Sequence, residues 1–129
     1  MPFVDPADAR NAVVLDLAAL TAEAGPGTWR QRLIADETTR WVLLAWDSGT
    51  ASVAHRHPHA SETFLVLEGR LAARIGDGPE VEAGPGSLLF APRDAIHALR
   101  VVGDERLLLI ASVAPNEDVP DETIDEPDR

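Results

Sequence analysis

Three of the four histidines in this chain lie close together, in the segment HRHPHASE at positions 55–62. His55 and His57 are two residues apart, so in a strand both side chains project from the same face. Glu62 ends the segment, and His97 lies in a second segment, PRDAIHAL. Three imidazoles and one carboxylate form a mixed nitrogen and oxygen ligand set. Such a set suits Fe(II), Mn(II), Ni(II), Co(II), Cu(II) or Zn(II), and suits Ca(II) poorly.

These residues therefore predict one divalent transition metal per chain, with iron or manganese favoured. In six-coordinate geometry four protein ligands leave two positions open for water or a substrate. The chain contains no Cys, Lys or Tyr, which excludes thiolate ligands, a lysine Schiff base and tyrosine acid/base chemistry. Acid/base catalysis is then expected from Glu62 when it leaves the metal, from His59, or from hydroxide on the metal.

His59 has the same strand parity as His55 and His57, but Pro58 is expected to bend the chain before it. We therefore predict that His59 is a rim residue in solvent. Its alternative role is a ligand or substrate contact.

Composition limits the partners that the protein can have. The net charge is −11, with 22 acidic residues against 11 basic ones. A negative body without a basic stripe argues against nucleic acid. No apolar run approaches the roughly 18 residues of a membrane span, and the N-terminus lacks the features of a secretory signal. We expect a cytoplasmic protein that binds a small molecule and neither nucleic acid nor a membrane.

The chain is long enough for one domain with a core. Residues 1–27 fit helix or strand equally well and are expected to pack on the domain or on a partner. Residues 28–115 show short strands separated by turn residues, which is typical of an all-β sandwich or barrel. The turn at Gly103 and Asp104 is predicted to join the last two strands as a hairpin. Residues 116–129, with seven acidic residues, form a flexible tail or a strand draped on a neighbour.

Two runs, FLVL at 64–67 and LLLIA at 107–111, are apolar on both faces of a strand. A strand covered on one side only should alternate apolar and polar residues, so something must cover the second face. We favour a homodimer in which both the N-terminal segment and a second subunit do so. The alternative is that a two-layer sandwich buries these strands by itself. The large aromatic residues are expected in the core or in a pocket wall: Trp29, Trp41, Trp46, Phe64 and Phe90.

The spacing of the first segment resembles a known family. Five residues separate Gly49 from His55, one separates His55 from His57, four precede Glu62 and six more precede Gly69. This arrangement is similar to the first conserved motif of the cupin superfamily.

The second cupin motif is matched by Gly86, Pro92 and His97 at the corresponding spacing. Two positions depart from the family pattern, because Asp94 replaces a usual Gly and Val101 a usual Asn. Asp tolerates turn conformations well, so the first change is mild. The second lies outside the predicted ligand set.

The resemblance implies a small single-domain cupin, which is a conical β-barrel with a jelly-roll-like double-stranded β-helix and is commonly dimeric. It places the metal inside the barrel, on His55, His57, Glu62 and His97. It does not imply one reaction, because cupins are functionally diverse. We favour a metal-dependent oxidoreductase of the dioxygenase type acting on a small enol, diketone or carboxylate. The alternatives are a small-ligand-binding or sensing protein without catalysis, and a zinc isomerase or hydrolase.

Overall fold

Strands dominate the structure, a computed structural model that describes residues 12–116 and 122–123. The described part contains one helix and ten strands. In chain order these are α1 (Leu17–Glu23), β1 (Trp29–Ala35), β2 (Arg40–Trp46), β3 (His55–Arg56), β4 (Ser61–Glu68), β5 (Arg70–Ile75), β6 (Val81–Ala83), β7 (Leu88–Ala91), β8 (His97–Val102), β9 (Leu107–Ala114) and β10 (Glu122–Thr123).

The strands form two antiparallel sheets of five strands each. Sheet A has the order β1-β2-β9-β4-β7, and sheet B has the order β10-β3-β8-β5-β6. One apolar core contains side chains from both sheets, including the fully buried Val66, Leu71, Leu107 and Leu109. Burial of such a side chain stabilises the fold by about 1.5–3 kcal/mol. The predicted all-β, jelly-roll-like barrel is thereby confirmed.

Most consecutive strands of the described part lie in different sheets, and two of these connections bear on the sequence predictions. The chain passes from β4 in sheet A to β5 in sheet B at Gly69, and from β8 in sheet B to β9 in sheet A through Gly103. The predicted hairpin at Gly103 and Asp104 is therefore wrong, because β9 is apolar on both faces and pairs with β2 and β4 in sheet A instead. Gly69 has a positive φ of 81°, and a side chain there would collide with the backbone carbonyl of Arg106.

The outer face of sheet A is covered by helix α1. Asp16 caps this helix, since its side chain accepts a hydrogen bond of 3.1 Å from the amide of Ala19. Leu20 is the buried residue of the helix, and it shares an apolar cluster with Leu108 and Ile110 of β9. The run at 107–111 was predicted to need cover on its second face, and the N-terminal segment provides part of that cover.

A Leu20→Ala variant is expected to lose about 2–4 kcal/mol of unfolding free energy, because it leaves a cavity between α1 and sheet A. Leu17→Ala is the matched control. Leu17 lies one turn earlier in α1 and is 37% exposed, so its truncation should cost far less. Urea denaturation of both variants measures the difference. Equal losses would show that α1 is not anchored through Leu20.

Two residues of the acidic tail are described, and they add an edge strand to this chain's own sheet B. Glu122 pairs with Arg56, and Thr123 pairs with His55. The rest of the predicted tail after Asn116 lies outside the described residues, as does the segment before Ala12. Within the described ranges, no helix is both long enough and apolar enough to cross a membrane.

Candidate metal centre

The two sheets bring the four predicted ligands together inside the barrel. His55 in β3 lies directly opposite His97 in β8, both in sheet B. His57 follows β3, and Glu62 reaches the same point from β4 in sheet A. All four residues are buried, and one ligand atom from each lies within 4.8 Å of the others.

Glu62 is the centre of the group. Its Oε1 atom accepts a hydrogen bond of 2.8 Å from Nε2 of His57 and one of 2.9 Å from Nε2 of His97. Metal–ligand bonds of about 2.1 Å place neighbouring ligands of an octahedral ion about 3 Å apart. The distances around Glu62 therefore already match those of ligands that share one metal ion.

Hydrogen bonds from the other ring nitrogens orient two of the imidazoles. Nδ1 of His55 lies 3.1 Å from the carbonyl oxygen of Val53, and Nδ1 of His97 lies 3.1 Å from that of Ala95. Such contacts are typical of histidines that bind a metal through Nε2. His97 thus faces oxygen acceptors at both nitrogens, whereas a neutral imidazole has one N–H. A cation between His97 and Glu62 would take the place of the second proton, so these residues fit a metal.

The electrostatics of the pocket keep Glu62 ionised. Burial raises the pKa of the Glu62 carboxyl, but hydrogen bonds from His57 and His97, together with their charges, outweigh burial and lower the pKa from 4.5 to about 2. An ionised carboxylate is the form that binds a metal.

The lowered pKa predicts how acid affects the metal-free protein. A group whose pKa falls on folding stabilises the fold fully above its unfolded pKa, and this contribution disappears as the pH falls towards the folded value. For Glu62 the window runs from about 4.5 down to about 2, and the contribution is about 3 kcal/mol at about 1.4 kcal/mol per pKa unit. Urea denaturation across this window should show a steep loss of stability in the wild type and a shallower one in Glu62→Gln. Parallel curves would contradict the prediction.

The turn at Asp94, which belongs to the second motif, contacts the segment that contains His57. Asp94 has a φ of 67°, and its amide donates a 3.0 Å hydrogen bond to the carbonyl of His57. Arg56 forms an ion pair of 3.5 Å with the Asp94 carboxylate. The aspartate that replaces the usual glycine thus adopts the glycine-like conformation and ties the two ligand-bearing loops together.

The ligands open onto a cavity of about 130 Å³, and the residues that line it include His55, His57 and Glu62. His97 is 1% exposed and lies behind them. His59 is exposed and is not among the residues that line the cavity. Apart from three ligands, two arginines and Ser52, the walls are apolar: Val42, Leu44, Trp46, Phe64, Leu99, Leu109, Ala111 and Val113.

The aromatic residues divide between the two faces of sheet A. Trp46 and Phe64 are wall residues, as predicted, and Trp29 packs in the outer cluster beneath α1. For Trp41 and Phe90 the prediction is wrong, because these residues are 36% and 55% exposed. Their strand positions face away from the barrel interior.

Sequence reasoning did not identify Arg30 and Arg40, which also line the cavity. Strand alternation was the available signal, but it assigns residues to faces without showing which face covers a cavity.

A small barrel with three histidines and one glutamate converging in its interior defines the class of protein. The family model described as Cupin domain matches residues 42–113, and the chain belongs to this family. Two solved structures share the fold. A protein from Bacillus halodurans, BH2720, has a TM-score of 0.75 and 21% identity, covering 90% of this chain and 89% of its own. A cupin-like protein from Thermotoga maritima has a TM-score of 0.69 and 20% identity, covering 78% and 79%.

Among curated proteins, the quercetin 2,3-dioxygenase of Bacillus subtilis (strain 168) is similar to part of this chain. The two are 36% identical over 53 residues, which is 41% of this chain and 15% of that enzyme. The chain therefore matches a small fraction of the length of that relative.

Proposed function

We propose that this cupin is a metal-dependent enzyme of the oxygenase type, acting on a small organic molecule bound in the barrel. The observation that carries the proposal is the position of the four ligands, which are buried together, while three of them, His55, His57 and Glu62, also line a cavity. An ion held by these four residues would remain accessible to a substrate in that cavity. The local similarity to a quercetin 2,3-dioxygenase supports the oxygenase class.

His55, His57, Glu62 and His97 would hold the ion. Bound there, a redox-capable metal would act as a Lewis acid that polarises an oxygen of the substrate. The apolar side chains of the walls would reduce the contact of a substrate with water. Among the described residues that line the cavity, Glu62 is the only carboxylate, so proton transfer at the substrate falls to its oxygens rather than to the exposed His59.

Metal-loaded protein tests the proposal directly. Preparations of the metal-free protein are loaded separately with Fe(II), Mn(II), Co(II), Ni(II), Cu(II) and Zn(II), and oxygen uptake is measured with small diketones, enols, phenols and 2-oxo acids. We expect uptake with Fe(II) or Mn(II), and none with Glu62→Gln. No uptake in any pairing would overturn the oxygenase. An unchanged ligand retained by the protein would favour a binding or sensing role, and oxygen-independent turnover with Zn(II) would favour an isomerase or hydrolase.

We also propose that the protein is a homodimer, formed through the edge of sheet A. Strand β7 lies at this edge, and it exposes Leu88 and Phe90 by 66% and 55%. Exposed apolar residues on an edge strand are typical of an interface. Sedimentation equilibrium should give a dimer mass for the wild type and a monomer mass for Phe90→Asp. Val81→Asp, on the edge strand β6 of sheet B, is the control and should remain dimeric. A monomeric wild type would contradict the proposal.

A further inference from the structure

Two arginines, Arg30 and Arg40, line the cavity at the metal site. Arg30 in β1 pairs with Leu44 in β2, and Leu44 belongs to the core between the sheets. Residues paired across antiparallel strands share a face, so Arg30 lies on the cavity side of sheet A. Arg40 begins β2 two residues before Val42 of the same core, and strand alternation places it on this side too.

Arg40 lies level with the metal ligands. It pairs with Val113 in β9, and Val113 pairs in turn with Glu62 in β4. Neighbouring strands are about 4.8 Å apart, so the backbones of Arg40 and Glu62 are separated by about 10 Å across one row of the sheet. A short molecule can span the space between the Arg40 guanidinium and the four ligands.

The charge of the cavity is opposite to that of the chain. The whole chain carries a net charge of −11, yet the described residues that line the cavity include two arginines and one carboxylate. That carboxylate, Glu62, already accepts hydrogen bonds from His57 and His97. In the described part of the chain, Arg40 forms no ion pair. A divalent ion at the four ligands would make the cavity more positive still, which favours an anionic ligand.

We propose that the ligand of this cavity is a small carboxylic acid whose carboxylate pairs with Arg40, with Arg30 as a second cation on the same wall. Guanidinium groups match carboxylates through two parallel hydrogen bonds. The rest of the molecule lies along the apolar wall towards the four ligands. This inference rests on the proposed function, because it names the substrate class of the same site.

The cavity volume sets the size of the acid. At about 130 Å³ it is close to the cavity of about 150 Å³ that holds benzene in a protein core. The size of this cavity therefore suits a short-chain or single-ring acid.

Titration calorimetry with matched acid and amide pairs tests the inference. Benzoate is compared with benzamide, and pyruvate with pyruvamide, on metal-free and Zn(II)-loaded protein. The wild type should bind each acid at least about tenfold tighter than its amide, as expected for a charge-assisted pair. Arg40→Gln should abolish this preference and Arg30→Gln should reduce it. Arg74→Gln, an exposed arginine of β5 outside the cavity lining, should keep it.

A salt titration of the wild type gives a second readout that needs no variant. Raising NaCl from about 0.05 M to about 0.5 M should weaken benzoate binding and leave benzamide binding unchanged. Equal affinities for acid and amide, an Arg40→Gln variant that keeps the preference, or inorganic phosphate that binds as tightly as benzoate would each overturn the inference.

The two proposals fail in different ways. If no metal supports oxygen uptake but acids still bind through Arg40, the oxygenase is wrong and the acid site stands. If neutral substrates support oxygen uptake and acids have no advantage, the acid site alone is wrong.

Discussion

A His57→Ala variant is expected to lose tight metal binding, whereas His59→Ala should keep it almost unchanged. His57 is buried, and its Nε2 atom lies 2.8 Å from the Glu62 carboxylate. Its removal deletes one ligand of four and leaves Glu62 with one histidine contact in place of two. Removal of a residue that only hydrogen-bonds to a metal ligand already lowers metal affinity by about 10- to 100-fold. Removal of the ligand itself should therefore lower the affinity by more than about 100-fold.

His59 is a close control for this variant. It lies in the same eight-residue segment, two positions from His57, and has the same side chain, yet it is exposed and does not line the cavity. Metal content by mass spectrometry and affinity by chelator competition should be measured on both variants, with circular dichroism to verify folding. Equal losses would overturn the assignment of ligands. Loss of metal binding in His59→Ala alone would show that His59, and not His57, is the ligand.

Metal affinity is also expected to fall steeply below about pH 6.5, where imidazoles become protonated. A histidine must be neutral to bind a metal, so protons and metal compete for the same nitrogen. Three histidines converge on this site. Below that pH each histidine should lower the metal affinity by up to about tenfold per pH unit. The three together should lower it by up to about 1,000-fold per pH unit.

Glu62 does not contribute to this loss. The pKa of its carboxyl is lowered to about 2, so it stays ionised across the pH range in which metal affinity is expected to fall. Equilibrium dialysis against Co(II) from about pH 7.5 to about pH 4 measures the effect. The His59→Ala variant should give the wild-type curve. Retention that does not change with pH would show that histidines are not the ligands, and a loss beginning near pH 4.5 would assign the effect to a carboxylate of ordinary pKa.

The sequence predicted the candidate site better than it predicted the connections of the fold. The two-residue spacing of His55 and His57, and the spacing to Glu62 and His97, can be identified in the sequence whatever the arrangement of the remaining chain. Strands β1 to β9 also lie within residues 28–115, where short strands were predicted, since turn residues such as Gly103 mark strand ends. The division of the strands between two sheets was not predictable in this way, because turn residues between two strands do not show whether those strands pair with each other.

Tertiary contacts also decided the secondary structure of the N-terminal segment and the direction of two aromatic side chains. The run around Leu20 fitted helix and strand equally, and in the structure it is a helix because one apolar side packs on Leu108 and Ile110. Trp41 and Phe90 were expected inside on the basis of hydrophobicity, yet their strand parity directs them outward. Residue type alone does not set the direction of a side chain from a strand.

By itself, then, the sequence determined the ligand types and their spacing, because these are local properties of a strand and a turn. The tertiary structure alone decided that Arg30 and Arg40 face the cavity. In the sequence nothing marks these two residues as different from the other arginines. Their position over the site follows from the pairing of β1 with β2 and of β2 with β9, and such pairing joins residues that are far apart in the chain.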